Sequence, residues 1–280
     1  MSYERYSPPK FGFLPHVIKN LLILNVLFFA VKLFMTYFMN INLTDILGLH
    51  FIGSDKFAPY QFVTHMFMHG DFFHLLFNML ALFMLGKELE FVWGPKKFLF
   101  YYFVTGLGAA ALHSLVTYIE MSSLQNSVAT FINSPSPDLF AGFIKSNISR
   151  PNLFTDFIND WSSSPNEPSY INEAIEIVKQ IYLQKSNIPT VGASGAVFGV
   201  LLAFGYLFPN VELMLLFFPI PIKAKYFVIG YGAIELYLGF KESNSNIAHF
   251  AHIGGMIFGF LLLLYWKKKA NKHRNNYWEQ

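Results

Sequence analysis

The sequence predicts an all-α, polytopic membrane protein, a six-helix bundle with a polar insertion between its third and fourth spans. Three observations carry that prediction. Hydrophobic residues make up 54% of the 280 positions and charged residues 13%, more apolar surface than a soluble domain hides easily. Six apolar segments approach the length of about 20 residues that a hydrocarbon core of about 30 Å demands of a helix. The basic residues gather beside those segments instead of forming one basic face.

Taken in order, the apolar segments are 17–39, 72–89, 98–119, 193–208, 226–239 and 250–266. The first is longer than a signal-peptide core and has no small-residue cleavage site after it, so it is expected to stay in the membrane. Cytoplasmic loops collect Lys and Arg. Arg5, Lys10, Lys96, Lys97, Lys223, Lys225 and a basic tail at 267–280 all fall on one side if both termini are cytoplasmic, and six spans satisfy that requirement.

The stretch 120–190 is polar, net acidic and rich in Ser, Asn and Pro. It is expected outside, as an extended loop inserted into a single domain covering 1–280. Ser136, Pro137 and Asp138 read as a helix start, with Phe140, Phe143 and Ile144 on one face as an interfacial helix requires. Ile171, Ala174, Ile175 and Val178 repeat with helical spacing. Loosely packed helices over the outer mouth, without chemistry of their own, are the expectation; no internal repeat or second folded domain is evident.

A net charge of +3 is too small to argue for a nucleic-acid partner. The absence of cysteine excludes disulfides, thiolate metal sites and a cysteine nucleophile.

The fourth span opens on Gly192-Ala193-Ser194-Gly195-Ala196-Val197-Phe198-Gly199, which puts a serine in the first turn of a membrane helix. From residue 193 to 208 such a helix rises about 24 Å, short of a full span, so Ser194 is expected below the outer surface. Non-helical backbone at that depth must be buried in protein or face water, and a wet pocket around Ser194 follows. Close helix packing through small residues is the competing reading of this cluster. A soluble nucleophile elbow is set aside, because Ala196 replaces its last glycine and no strand precedes it.

The sixth span begins Ala248-His249-Phe250-Ala251-His252-Ile253-Gly254-Gly255. An ionisable side chain inside a membrane is a functional candidate. His252, Gly255 and Gly259 share a helix face, as Gly195 and Gly199 do on the fourth span, and two such faces would bring the His252 imidazole toward the Ser194 hydroxyl, the pairing a weak nucleophile needs. His249 is the competing base. In the second span His74 and Asn78 are four residues apart and share a face. With backbone N–H groups at Ala193 and Ser194 they suit an oxyanion. His69 reads as a structural hydrogen-bonding residue of the first outer loop. His65, His69 and His74 also invite a zinc reading, which lacks an H-E-x-x-H arrangement and a placed carboxylate.

With H-G-D-F-F-H-L-L-F-N at 69–78, G-K-E-L-E-F-V-W-G at 86–94, G-A-S-G-A-V-F-G at 192–199 and A-H-F-A-H-I-G-G at 248–255, the chain resembles the rhomboid family of intramembrane serine proteases. The resemblance implies Ser194 as nucleophile and His252 as general base, a dyad with no acidic third member. It implies Asn78 and His74 as oxyanion donors, Gly192 as the small residue that keeps the loop open, and Phe198 as an aromatic stacked on the catalytic imidazole. The fifth span would be the helix that moves to admit substrate sideways from lipid, with its Glu235 an interhelical hydrogen-bonding group. The Trp-Arg pair of many bacterial members is absent from 40–60, and the third loop is much longer than usual.

The expected activity is hydrolysis of peptide bonds in or near transmembrane segments of other membrane proteins, at small residues where a helix unwinds easily. The expected partners are those substrates and the bilayer, with no cofactor, no metal and no nucleic acid, and the expected setting is a bacterial cytoplasmic membrane with the site open to the outer side. A non-proteolytic binder of transmembrane segments is the alternative. A transporter is disfavoured, because its polar residues should line a path across the membrane and these gather near one side.

Overall fold

A computed structural model of the chain describes residues 14–214, 220–241 and 248–276. Arg5, Lys10 and residues 277–280 of the expected basic tail lie outside the described residues.

All six predicted spans are helices. The first, α1 (His16–Met39), starts after Pro15, whose side chain cannot cap it, and ends at Asn40 in the left-handed conformation. Glu90 does the capping from elsewhere in the chain. Its carboxylate accepts from the backbone N–H of Val17 at 2.9 Å and of Ile18 at 2.8 Å, two donors a helix start otherwise leaves unsatisfied. The loop between the first and second spans carries two short helices, α2 (Leu43–Leu47) and α3 (Gln61–Thr64). The second span is α4 (Phe72–Ala81), capped by the Asp71 side chain, then a π-helical turn at Leu82–Gly86 and α5 (Lys87–Trp93).

The third span departs from its predicted end at 119. It is one helix, α6 (Pro95–Asn133), of 39 residues. The polar composition of 120–133 does not stop it, because no Pro or Gly intervenes and Ser122, Ser127 and Thr130 turn their hydroxyls onto carbonyls four residues back. The insertion continues as α7 (Pro137–Asn147), started by Ser136 accepting from the Leu139 N–H, then α8 (Thr155–Ser163) and α9 (Pro168–Ser186).

These helices are not loosely laid down. Phe131, Phe140, Ile144, Trp161, Ala174 and Val178 are buried in a second apolar core. Phe140, Phe143 and Ile144 therefore face protein, which corrects the interfacial-helix expectation: the same amphipathic stripe serves either surface, and here the aromatic rings of Phe131 and Trp161 supply it.

The remaining spans are α10 (Ser194–Leu207), α11 (Ala224–Lys241) and α12 (His249–Asn276). Between α10 and α11 lies an unpredicted antiparallel pair, β1 (Glu212–Met214) and β2 (Pro221–Lys223). By length and composition α1, α6 and residues 249–271 of α12 suffice to cross a membrane, whereas the 14 residues of α10 form a shorter apolar helix. Buried along nearly its whole length, α10 is the axis of the bundle.

The glycine faces meet differently from the prediction. Gly255 lies on the backbone of Gly195, so α10 and α12 do touch there. Gly195 itself makes room for Ala109, Gly199 for Thr105 and Gly259 for Tyr101, all on α6. Three helices share these gaps instead of two, and Tyr101 donates its hydroxyl to the Gly199 carbonyl at 2.9 Å.

Candidate active site

Ser194 is the first residue of α10, and the loop before it is held from outside the helix. The Gly192 N–H donates to the His65 carbonyl at 2.9 Å, and residues Leu49 and Thr190 form a backbone bridge. Gly192 has φ +128°, a conformation that favours glycine. A Cβ there would also stand 2.8 Å from His74 Nε2. Small size and backbone freedom are both required at this position.

Close packing of α12 on α10 sets His252 Nε2 at 2.9 Å from Ser194 Oγ. Phe198, one turn along α10, lies flat on the imidazole with centroids 4.1 Å apart and planes 6° apart. Tyr231 of α11 packs against Phe198 in turn, with centroids 5.0 Å apart. The other ring nitrogen, His252 Nδ1, is 2.9 Å from Glu235 Oε2, and His249 Nδ1 reaches the same oxygen at 2.7 Å. His252, not His249, therefore meets the serine. Glu235 of α11 makes the interhelical hydrogen bonds expected of it, and one of them is to the imidazole that faces the serine.

His74 faces the serine loop from α4. Its Nδ1 accepts from the Gly70 N–H at 3.3 Å, which leaves the ring proton of the neutral form on Nε2, beside Gly192. Asn78 lines the same cavity as Ser194, His74 and His252. It is buried, and one amide N–H is spent on the His74 carbonyl at 2.9 Å. His69 is fully buried, and its ring packs edgewise on His74 at 5.1 Å. The loop is fastened by Lys32, whose ammonium donates to the carbonyls of His69 and Gly70 at 2.7 and 2.6 Å.

Sequence reasoning also missed Gln61, which ties together the loop between the first and second spans that lacks the Trp-Arg pair. Its carbonyl accepts from the N–H groups of His50 and Ala58, and its amide donates to the carbonyls of Ile46 and Lys56. A buried amide satisfied by four backbone groups leaves no periodic signal in a sequence. The three histidines of the zinc reading do not converge; among the described residues the one trio of possible ligands within 4.8 Å is Glu235, His249 and His252. Hydrogen bonding to a shared carboxylate accounts for that trio.

The cavity measures about 2110 Å³ and extends from Ser194 and His252 to the helices of the insertion, where Glu120 and Lys185 form part of its wall. Burial pushes the Lys185 ammonium down from its ordinary value, moderated by the charge of Glu120.

The sequence profile of the rhomboid domain matches residues 56–131 and 173–269, over half of the chain. The chain belongs to the rhomboid family. Its match is interrupted at 132–172, which holds α7, α8 and the first residues of α9. Among curated rhomboid relatives, an uncharacterized mitochondrial rhomboid protein of Schizosaccharomyces pombe is 30% identical over 218 residues, 74% of this chain and 52% of that protein. Mitochondrial rhomboid protein 1 of Saccharomyces cerevisiae is 37% identical over 86 residues, 31% of this chain and 25% of its own length. The rhomboid protease AarA of Providencia stuartii is 36% identical over 64 residues, 23% of each chain. The chain thus spans about half the length, or less, of these relatives. Family and helices together make it an integral membrane protein, and the mitochondrial names of two relatives count against the expected bacterial membrane.

Proposed function

We propose that this rhomboid is an intramembrane serine endopeptidase in which Ser194 is the nucleophile and His252 the general base. Family membership supports an intramembrane protease at the level of the family. For this chain the observation that carries the reading is the 2.9 Å approach of His252 Nε2 to Ser194 Oγ inside a cavity.

In the proposed reaction Ser194 Oγ attacks the carbonyl carbon of the substrate peptide bond while its proton passes to His252 Nε2. Negative charge develops on the carbonyl oxygen, facing the N–H of Ser194, the Nε2–H of His74 and the remaining amide N–H of Asn78. The C–N bond then breaks, and the imidazolium returns the proton to the leaving amine. Water attacks the resulting ester, with His252 again accepting a proton, and frees Ser194. Substrates are transmembrane segments that unwind near small residues, since a hydrogen-bonded helical carbonyl is closed to attack. The start of α1 and the end of α12 lie on the side of the bilayer away from Ser194, and the insertion at 120–190 stands over the site as the roof of the cavity.

Purified wild type should cleave a transmembrane reporter and take up a fluorophosphonate probe at Ser194. Ser194→Ala and His252→Ala should each abolish cleavage while remaining folded. Equal cleavage by wild type and Ser194→Ala would remove the proposal.

A further inference from the structure

We propose that Glu235 is a positioning residue for this site: its carboxylate holds His252 in the tautomer able to accept the Ser194 proton. The inference rests on the protease reading above. A neutral imidazole has one N–H and one lone pair. With Glu235 Oε2 at 2.9 Å from Nδ1, the N–H belongs on Nδ1, and the lone pair of Nε2 faces Ser194 Oγ at 2.9 Å. The opposite tautomer would offer the serine a donor and leave it without a base. Phe198 fixes the plane of the ring from its face, but stacking cannot choose between two tautomers of one plane. Only a hydrogen-bonding group at Nδ1 makes that choice.

The helices are arranged to make this contact. Glu235 is the single acidic residue of α11 and is buried, a costly placement for a carboxylate unless donors surround it. Two N–H groups converge on one oxygen, from His252 and from His249 at 2.7 Å. Gly232 and Gly239, three residues before and four after, occupy the same face of α11. A Cβ on Gly232 would stand 3.0 Å from Met256, and one on Gly239 would stand 3.3 Å from His249 and Phe250. The absence of side chains on either side lets α12 come near enough for Glu235 to reach both rings. His249, which does not meet the serine, acts here as the second donor that keeps the carboxylate in place.

The test compares full-length wild type and Glu235→Gln in detergent micelles. The carboxamide keeps the size of the side chain but can turn an N–H toward Nδ1. The expected result is a fall in kcat of at least about 100-fold, in line with the losses seen when a triad acid becomes an amide, with KM within about twofold. Nitrogen-15 spectra of histidine-labelled protein, with the His252 signals assigned by their loss in His252→Ala, should show Nδ1 protonated and Nε2 bare in wild type. In Glu235→Gln that population should shift toward the other tautomer. Unchanged kcat in a folded Glu235→Gln, or an Nε2–H tautomer in wild type, overturns the proposal; should Glu235→Gln fail to fold, the wild-type spectrum decides alone. If wild type cleaves the reporter through Ser194 and Glu235→Gln cleaves equally well, only the role of Glu235 falls. If wild type neither cleaves nor takes up the probe, the protease reading falls and this one with it.

Discussion

The ring of Phe198 lies parallel to the imidazole of His252, 6° between planes and 4.1 Å between centroids, while both residues are nearly withdrawn from solvent. Each ring comes from a different helix, so the pair also fixes α10 against α12 at the level of the serine. Aromatic pairs contribute about 0.5–1.5 kcal/mol beyond their buried area. Phe198→Ala is therefore expected to lower kcat about tenfold, by letting the imidazole tilt, and Phe198→Tyr to retain most activity. Turnover of a transmembrane reporter measures both.

The two candidate oxyanion donors differ in how much of their capacity is free. Asn78 already spends one N–H on the His74 carbonyl, whereas the Nε2–H of His74 has its Nδ1 fixed by Gly70. His74→Ala is expected to reduce kcat about 100-fold, within the range for a lost oxyanion donor, and Asn78→Ala about tenfold. Steady-state kinetics with KM held nearly constant would bear this out, and unchanged turnover in Asn78→Ala would count against its role.

Helix contact through Gly255 leaves no room for even a methyl group, since the Gly195 backbone occupies that space. Gly255→Ala is expected to destabilise the fold by about 3 kcal/mol or more, at the upper end of overpacking losses. Gly142 on α7 faces open space, and Gly142→Ala should leave stability unchanged or raise it by up to about 1 kcal/mol. Thermal unfolding in micelles separates the two.

Removing the charge from Glu90 tests the remote cap of α1. Glu90→Gln can still accept from one N–H but presents an amide to the other. A loss of about 1.5–3 kcal/mol is expected, the usual worth of a hydrogen bond to a charged group. Fluorophosphonate uptake at Ser194 should persist below the lowered melting temperature.

Ser194, His252, His74 and the six helices were legible because polar and small residues are rare in apolar runs, and each exception carries information. Phe198 was found through resemblance to a family, since one Phe among 33 has no local signature. The link from Glu235 to both imidazoles was not legible, as it depends on the register of α11 against α12, which neither helix encodes alone. A clue was present in the glycines flanking Glu235 on its own face. The extension of α6 beyond 119 was hidden by the weak helix propensity of Ser, Asn and Thr, and the destination of the Phe140 face by the fact that lipid and protein select the same stripe.

The length of α6 bears on how the cavity is covered. At the standard rise its 39 residues form a rod of about 58 Å, close to twice the thickness of the oily layer it crosses. Its lower half supports Gly195, Gly199 and Gly259, and its upper half carries Met121, Leu124 and Phe131 into the second core. The canopy over the cavity is thus mounted on a mast stepped beside the serine, one unbroken helix carrying both the packing at the waterline and the roof above it.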